Sequence, residues 1–182
     1  TTASITAAPL TVTGVTANNR TYDRTTSATS QLVLGSAALS GVVGGDTVTI
    51  DTTAATATFA DKLAATGKTV TVAGITIGGA DAGNYSLTQP TTTASILQAT
   101  LTITGTTASN KVYDRTVTAT VNTGSSTLSG VIGADVVTLS KGSAAGTFAT
   151  KIVESSKVVT VTGFSISGAD SANYSLTQPT LS

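Results

Sequence analysis

One stretch of text occurs twice in this chain, and the spacing of the two copies constrains the fold more than any single residue does. Thr2-Ala3-Ser4-Ile5 returns as Thr93-Ala94-Ser95-Ile96, and Asn19-Arg20-Thr21-Tyr22-Asp23-Arg24-Thr25 returns as Asn110-Lys111-Val112-Tyr113-Asp114-Arg115-Thr116, both 91 positions later. Residues 79–90 return as residues 168–179, only 89 positions later, so the second copy lacks two residues between Ala28 and Leu39. A repeat of this length is a small domain in its own right rather than a solenoid unit. Two tandem domains are therefore expected, residues 1–92 and 93–182. Units this small bury a modest core and depend on efficient packing.

Composition removes most functional classes. Nine basic and nine acidic residues in 182 leave no net charge, so there is no field to hold nucleic acid or an anionic membrane. The absence of His, Cys, Met and Trp takes away the commonest general base, the thiol nucleophile and the usual transition-metal ligands. No enzyme, no catalytic residue, no cofactor and no metal are expected. A chain without Cys or Met suits a secreted protein exposed to oxidants. No apolar run approaches the roughly 18 residues of a membrane span, so no membrane insertion is expected. Thr1-Thr2 opens in the middle of a pattern that recurs at Thr92-Thr93, and the sequence reads as a piece of a longer array with any targeting signal outside it.

Thr is abundant, joined by Ala, Val, Ser and Gly, a mixture of β-branched and small residues that favours strands. Leu10-Thr11-Val12-Thr13, Val48-Thr49-Ile50, Val70-Thr71-Val72, Leu101-Thr102-Ile103-Thr104 and Val159-Thr160-Val161 alternate apolar with polar, the period of a half-buried strand. The apolar side should form a core from Leu10, Val12, Ile50, Phe59, Val70, Val72, Ile75, Leu87 and their counterparts, with Thr hydroxyls facing water. Glycines at 14, 41, 44–45, 67, 74 and 78–79 mark turns between strands. The segment 59–66 reads as a loop or one short turn. The expectation is all-β: two tandem small β-sandwich (Ig-like) domains arranged end to end, with β-grasp-like repeats as the alternative. Around Pro90 there is no flexible Gly-Ser stretch, so the Thr-rich segment running through Thr93–Ile96 is expected to be a short stiff linker. By the same reasoning Thr2–Ile5 is the tail of a preceding unit, and Leu181-Ser182 begins the next linker.

Four motifs recur in the same order in both copies. The first reads Tyr22-Asp23-Arg24-Thr25, Leu39-Ser40-Gly41-Val42-Val43-Gly44-Gly45-Asp46, Phe59-Ala60-Asp61-Lys62 and residues 79–87, which close on Asn84-Tyr85-Ser86-Leu87. The second reads Tyr113-Asp114-Arg115-Thr116, Leu128-Ser129-Gly130-Val131-Ile132-Gly133-Ala134-Asp135, Phe148-Ala149-Thr150-Lys151 and residues 168–176, which close on Asn173-Tyr174-Ser175-Leu176. This order resembles the YDG repeat domain over nearly the whole chain. The resemblance implies a repetitive stalk of a large bacterial surface protein of the filamentous-haemagglutinin-like adhesin kind, secreted or held at the cell surface, whose partners are neighbouring repeats of the same polypeptide. The Gly that names the family is Arg24 and Arg115 here. If that position needs positive φ, Arg carries strain of about 1 kcal/mol or more.

Individual residues sort as follows. Tyr22 and Tyr113 read as core or edge anchors, and Asp23 and Asp114 as acceptors for local backbone in a turn. Asp81, Asn84, Asp170 and Asn173 offer hard oxygen atoms that could hold calcium, but they suit an Asx-type turn delivering Tyr85 and Tyr174 into a strand. Lys62, Lys68, Lys151 or Lys157 could join Asn84 or Asn173 in an isopeptide bond beside Asp23 or Asp114, but ordinary solvated lysines and capped turns are the simpler reading. A Thr-rich face could bind ice or glycan, and loops at one end of a sandwich could bind glycan or a host protein. The leading expectation is a spacer that is monomeric in solution.

Overall fold

The computed structural model describes residues 2–182. The described residues form strands and turns, with no helix beyond three single 3-10 turns of three residues each. The protein is all-β. It divides into two compact units, Thr1–Leu97 and Gln98–Ser182, each with its own sheets.

In the first unit the strands are β1 (Ala8–Thr13), β2 (Thr16–Ala17), β3 (Arg20–Thr21), β4 (Leu32–Val33), β5 (Ala38–Ser40), β6 (Thr49–Asp51), β7 (Thr56–Phe59), β8 (Ala65–Ala73), β9 (Thr76–Gly78), β10 (Tyr85–Thr88) and β11 (Thr91–Leu97). One sheet has the order β10-β1-β5. Its β1–β10 pair is parallel with Leu10 beside Leu87, and its β1–β5 pair is antiparallel with Val12 opposite Leu39. The larger sheet has the order β3-β11-β8-β7, in which β11 lies parallel to β3 and antiparallel to β8. Two ribbons, β2–β4 and β6–β9, complete the unit.

The alternation read in the sequence is realised. Leu10, Val12, Phe59, Val70, Val72 and Ile75 are buried, while Ile50 and Leu87 are half-buried and Thr11, Thr69 and Thr71 face solvent. Tyr22, Tyr85, Ala28, Ala57, Ala94 and Ile96 join the core. Small Ala side chains thus share the interior with the larger apolar ones.

The second unit repeats this plan. Its strands are β12 (Ala99–Thr104), β13 (Thr107–Ala108), β14 (Thr118–Ala119), β15 (Val121–Asn122), β16 (Thr127–Ser129), β17 (Thr138–Ser140), β18 (Ala145–Phe148), β19 (Val159–Thr162), β20 (Ser165–Ser167), β21 (Tyr174–Leu176) and β22 (Thr180–Leu181). The sheet β16-β12-β21 sets Leu101 beside Leu176 and Ile103 opposite Leu128, the same register as in the first unit. Ile103, Ala119, Val159, Val161 and Phe164 form its core cluster. The larger sheet, β14-β18-β19-β22, differs at both edges: β14 stands where the first unit has only the isolated bridge between Ser27 and Thr58, and the opposite edge is shorter. Where the first unit has nine-residue β8 against seven-residue β11, the second has four-residue β19 against two-residue β22. Thr180-Leu181-Ser182 correspond to Thr91-Thr92-Thr93.

Four sequence expectations change. The Thr-rich segment through Thr93–Ile96 is a strand, β11, because its alternating Ala94 and Ile96 reach the core; only Gln98 separates it from β12. Thr180-Leu181 likewise pairs with β19 instead of opening a linker. Gly67 marks no chain reversal: it lies inside β8 at φ 62°, where the pairing with β11 shifts register between Ala94 and Ile96. This is a β-bulge, for which a left-handed glycine is well suited. Finally, Tyr113 is 55% exposed where Tyr22 is 2% exposed, so only the first of these rings anchors a core. Within the segment 59–66, Phe59 ends β7 and Ala65 begins β8; residues 60–64 form the connection, with Asp61 accepting the Leu63 amide at 2.8 Å.

Candidate functional site

The Tyr-Asp-Arg-Thr motif builds the same small turn twice. In the first copy, Asp23 Oδ1 accepts the Thr25 amide and the Thr25 hydroxyl, each at 2.8 Å, the Asx turn expected of an Asp two residues before its donor. Arg20 donates to the other Asp23 oxygen and to the Thr25 carbonyl and hydroxyl, and its guanidinium stands 5.1 Å from the centre of the Phe59 ring. Burial works to raise the Asp23 carboxyl, but the Thr25 donors and Arg20 outweigh it and hold it below the usual carboxylate range. In the second copy Lys111 replaces Arg20. Its ammonium lies 2.8 Å from Asp114, 2.8 Å from the Thr116 hydroxyl and 5.8 Å from the centre of the Phe148 ring. Lys111, with the Thr116 donors, brings the Asp114 carboxyl down to about 2. Arg24 and Arg115 both sit at positive φ, 71° and 68°, so a family glycine at this position would be free of the strain these side chains carry.

The second recurring constellation closes the other end of each repeat. Asp81 Oδ2 accepts the Thr47 amide at 2.8 Å and Asp170 Oδ2 accepts the Val136 amide at 2.8 Å, tying a distant loop to the turn before the last core tyrosine. The tyrosine then follows a 3-10 turn, Ala82–Asn84 or Ser171–Asn173. Tyr85 donates to Asp46 at 2.6 Å and accepts the Val43 amide at 2.9 Å; Tyr174 donates to Asp135 at 2.6 Å and accepts the Ile132 amide at 3.0 Å. The Asp46 acceptor, aided by burial, raises the Tyr85 phenol, while burial and then Asp135 raise Tyr174. The calcium candidates therefore meet different partners: the Asp81 and Asp170 carboxylates hold backbone amides, and Asn173 is buried. Among the described residues no three acidic side chains gather.

Two of the four candidate lysines are engaged with partners other than Asn84 and Asn173. Lys68 donates to Asp61 at 2.6 Å, and Lys157 to the Thr150 hydroxyl at 2.6 Å and to Glu154 at 3.2 Å. Sequence reasoning passed over Gln89 and Gln178, which act as pieces of strand. The Gln89 amide group donates to Ile75 O at 2.7 Å and accepts the Ile75 amide at 3.1 Å, and Gln178 does the same with Phe164 at 2.9 and 3.1 Å. The signal was the Thr-Gln-Pro that ends both copies of the long repeated stretch.

These contacts are the positions at which the two copies agree, and they coincide with a known family. The profile of the YDG domain matches residues 6–94 and again residues 97–181. The chain belongs to the YDG domain family. Comparison with curated proteins and with solved structures gives no match. The motifs common to both YDG repeats are thus turn locks and core anchors: Asp23 and Asp114 organise one turn, Asp81 and Asp170 another.

The YDG repeats differ in one respect that bears on binding. The second contains a groove of about 1080 Å³, floored by Phe148 and Val159 and bordered by Lys111, Tyr113, Lys157 and Ser182. In the first repeat, β11 runs between the counterparts of these walls, β3 and β8.

Proposed function

We propose that the protein is a length of the repetitive stalk of a bacterial cell-surface adhesin, in which YDG repeats, each a small β-sandwich, follow one another end to end and hold a distal binding region away from the cell. Its work is mechanical and not enzymatic, and its partners are the neighbouring repeats. The observation that carries this reading is the way one repeat passes into the next. The sheet built on the first strand has the same order and register in both repeats, and the last strand of the first, ending at Leu97, is followed after a single residue by the first strand of the second at Ala99. A connection of one residue leaves few free backbone torsions, unlike a flexible linker. Exposed Thr on the outer face supports the reading, since it satisfies strand propensity while keeping the surface polar.

Small-angle scattering on chains of two, three and four YDG repeats, extrapolated to infinite dilution, tests the proposal. The maximum dimension is expected to grow by a constant increment per repeat. A dimension that grows no faster than a compact particle of the same mass would rule out the stalk.

A further inference from the structure

We propose that each repeat is built to carry tension along its own chain, and that the parallel pairing of β1 with β10, repeated as β12 with β21, is the clamp that resists it. The role of the clamp rests on the stalk reading; its geometry belongs to a single repeat.

The path of the chain fixes the direction of load. The first repeat is entered through β1 and left through β11, which passes by way of Gln98 into β12. Only Gln89 and Pro90 separate β10 from β11, and the two strands lie in different sheets. A reversal over two residues makes a hairpin whose strands pair; these do not, so the chain keeps its direction as it crosses between sheets. Its neighbours agree. Thr91 stands opposite Thr71, the Pro90 carbonyl accepts the Val72 amide at 3.2 Å, and the Gln89 side chain bonds both backbone groups of Ile75, one antiparallel course continued from β11 toward β10. Since β1 runs parallel to β10, the repeat is entered at one end of this pair and left beyond the other.

Tension on the two ends therefore draws β1 and β10 in opposite directions along their own axes. The pairs Ala8 with Tyr85, Pro9 with Ser86, Leu10 with Leu87 and Thr11 with Thr88 share that load, and the evenly spaced bonds of a parallel ladder must yield together. Strands pulled apart from one end would instead lose their bonds one after another, each under the full load. Neither strand at the ends of the path is an edge: β1 lies between β10 and β5, and β11 between β3 and β8. Leu10 is fully buried. The start of β10 is pinned as well, by Tyr85 donating to Asp46 and by Asp81 accepting the Thr47 amide.

The second repeat keeps the clamp in the same register, with Ala99 beside Tyr174, Thr100 beside Ser175 and Leu101 beside Leu176. There the Thr177 amide donates to the Leu101 carbonyl at 2.9 Å. Residues 84–91 and 173–180 are identical position for position, and in each repeat this run forms the clamp strand and the crossing that follows it. Pinning by the tyrosine and the preceding carboxylate also recurs, through Tyr174 with Asp135 and Asp170 with the Val136 amide.

The chain has no Cys, so pairs of introduced cysteines fix where an optical trap pulls on the full 182-residue chain. Ala7→Cys with Gln98→Cys, equivalent positions at the two ends of the first repeat, loads it as a stalk would. Ala7→Cys with Gly83→Cys loads the same clamp from one end and parts β1 from β10 pair by pair. All three sites are exposed, and a Cβ at Gly83 meets nothing within 4 Å, so equal urea midpoints are expected. Forced unfolding is governed by the unfolding rate, and at equal stability a difference in force reports the direction of load. The first pair is expected to open at several-fold the force of the second, in one event that releases about 300 Å of chain. Thr88→Pro deletes the donor equivalent to the Thr177 amide; it should lower the first force and leave the second, set at the Ala8–Tyr85 end, unchanged. Equal forces for the two pairs, or a first force indifferent to Thr88→Pro, would overturn the proposal. Scattering reads the arrangement of repeats and pulling reads one repeat, so a compact array with a strong clamp removes the stalk alone, and an extended array with equal forces removes the clamp alone.

Discussion

Single residues in these repeats are explained by the turns they hold. Asp114 accepts from Lys111 and from both Thr116 donors, and its carboxyl is held at about 2, below the usual carboxylate range. A carboxyl whose folded pKa is depressed stabilises the fold above its unfolded pKa, and that contribution is lost as pH falls through the folded value. Stability should therefore decline between about pH 4 and pH 2, and Asp114→Asn should flatten that part of the profile, measured by urea unfolding at a series of pH values. Arg115 makes the opposite case, since its φ of 68° is a conformation that glycine adopts without strain. Arg115→Gly is expected to raise stability by about 1 kcal/mol, seen as a higher urea midpoint with unchanged slope. The strain itself could be anticipated from the family glycine, but only the backbone angle shows that this turn uses it.

At the scale of elements, β11 carries most of what sequence reading missed. Its Thr-rich stretch was legible as extended, yet Thr91–Thr93 alternate without large apolar residues and the two that matter, Ala94 and Ile96, come at its end. Period alone does not distinguish such a strand from a linker, because burial depends on partners far away in sequence. The strands with Leu, Val and Ile at every second position, β1, β8 and their equivalents, were legible for the converse reason. Ile96→Ala should destabilise the first repeat by about 3 kcal/mol, and amide exchange should then rise in β3 as well as β11, since β3 is an edge strand whose neighbour among the described residues is β11. A loss of protection confined to β11 would show that β3 is held by other contacts.

For the whole molecule, domain number and internal repetition were plain from the offsets of 91 and 89, whereas the point of division was not. The repeat that the eye finds first begins at any chosen motif, but the compact units part between Leu97 and Gln98, where one set of strands is complete. Asp23, Asp81, Tyr85 and their counterparts were legible as recurring turn and core positions, and the structure supplies their partners, in the first repeat Thr25, Thr47 and Asp46. The groove in the second repeat has no sequence motif of its own, because its lining comes from separate segments, Lys111 and Tyr113 from one and Phe148 and Lys157 from another.

The position of β11 at the end of its repeat has a consequence for the order of events during synthesis. Ser95 bonds to Asn19 across 76 residues, so the larger sheet cannot close at that edge until the final strand has left the ribosome. Such distant pairing is slow to form. Until then each emerging repeat presents an open edge to its surroundings, and any passage through a narrow channel would find the chain most pliable just before its last few residues arrive.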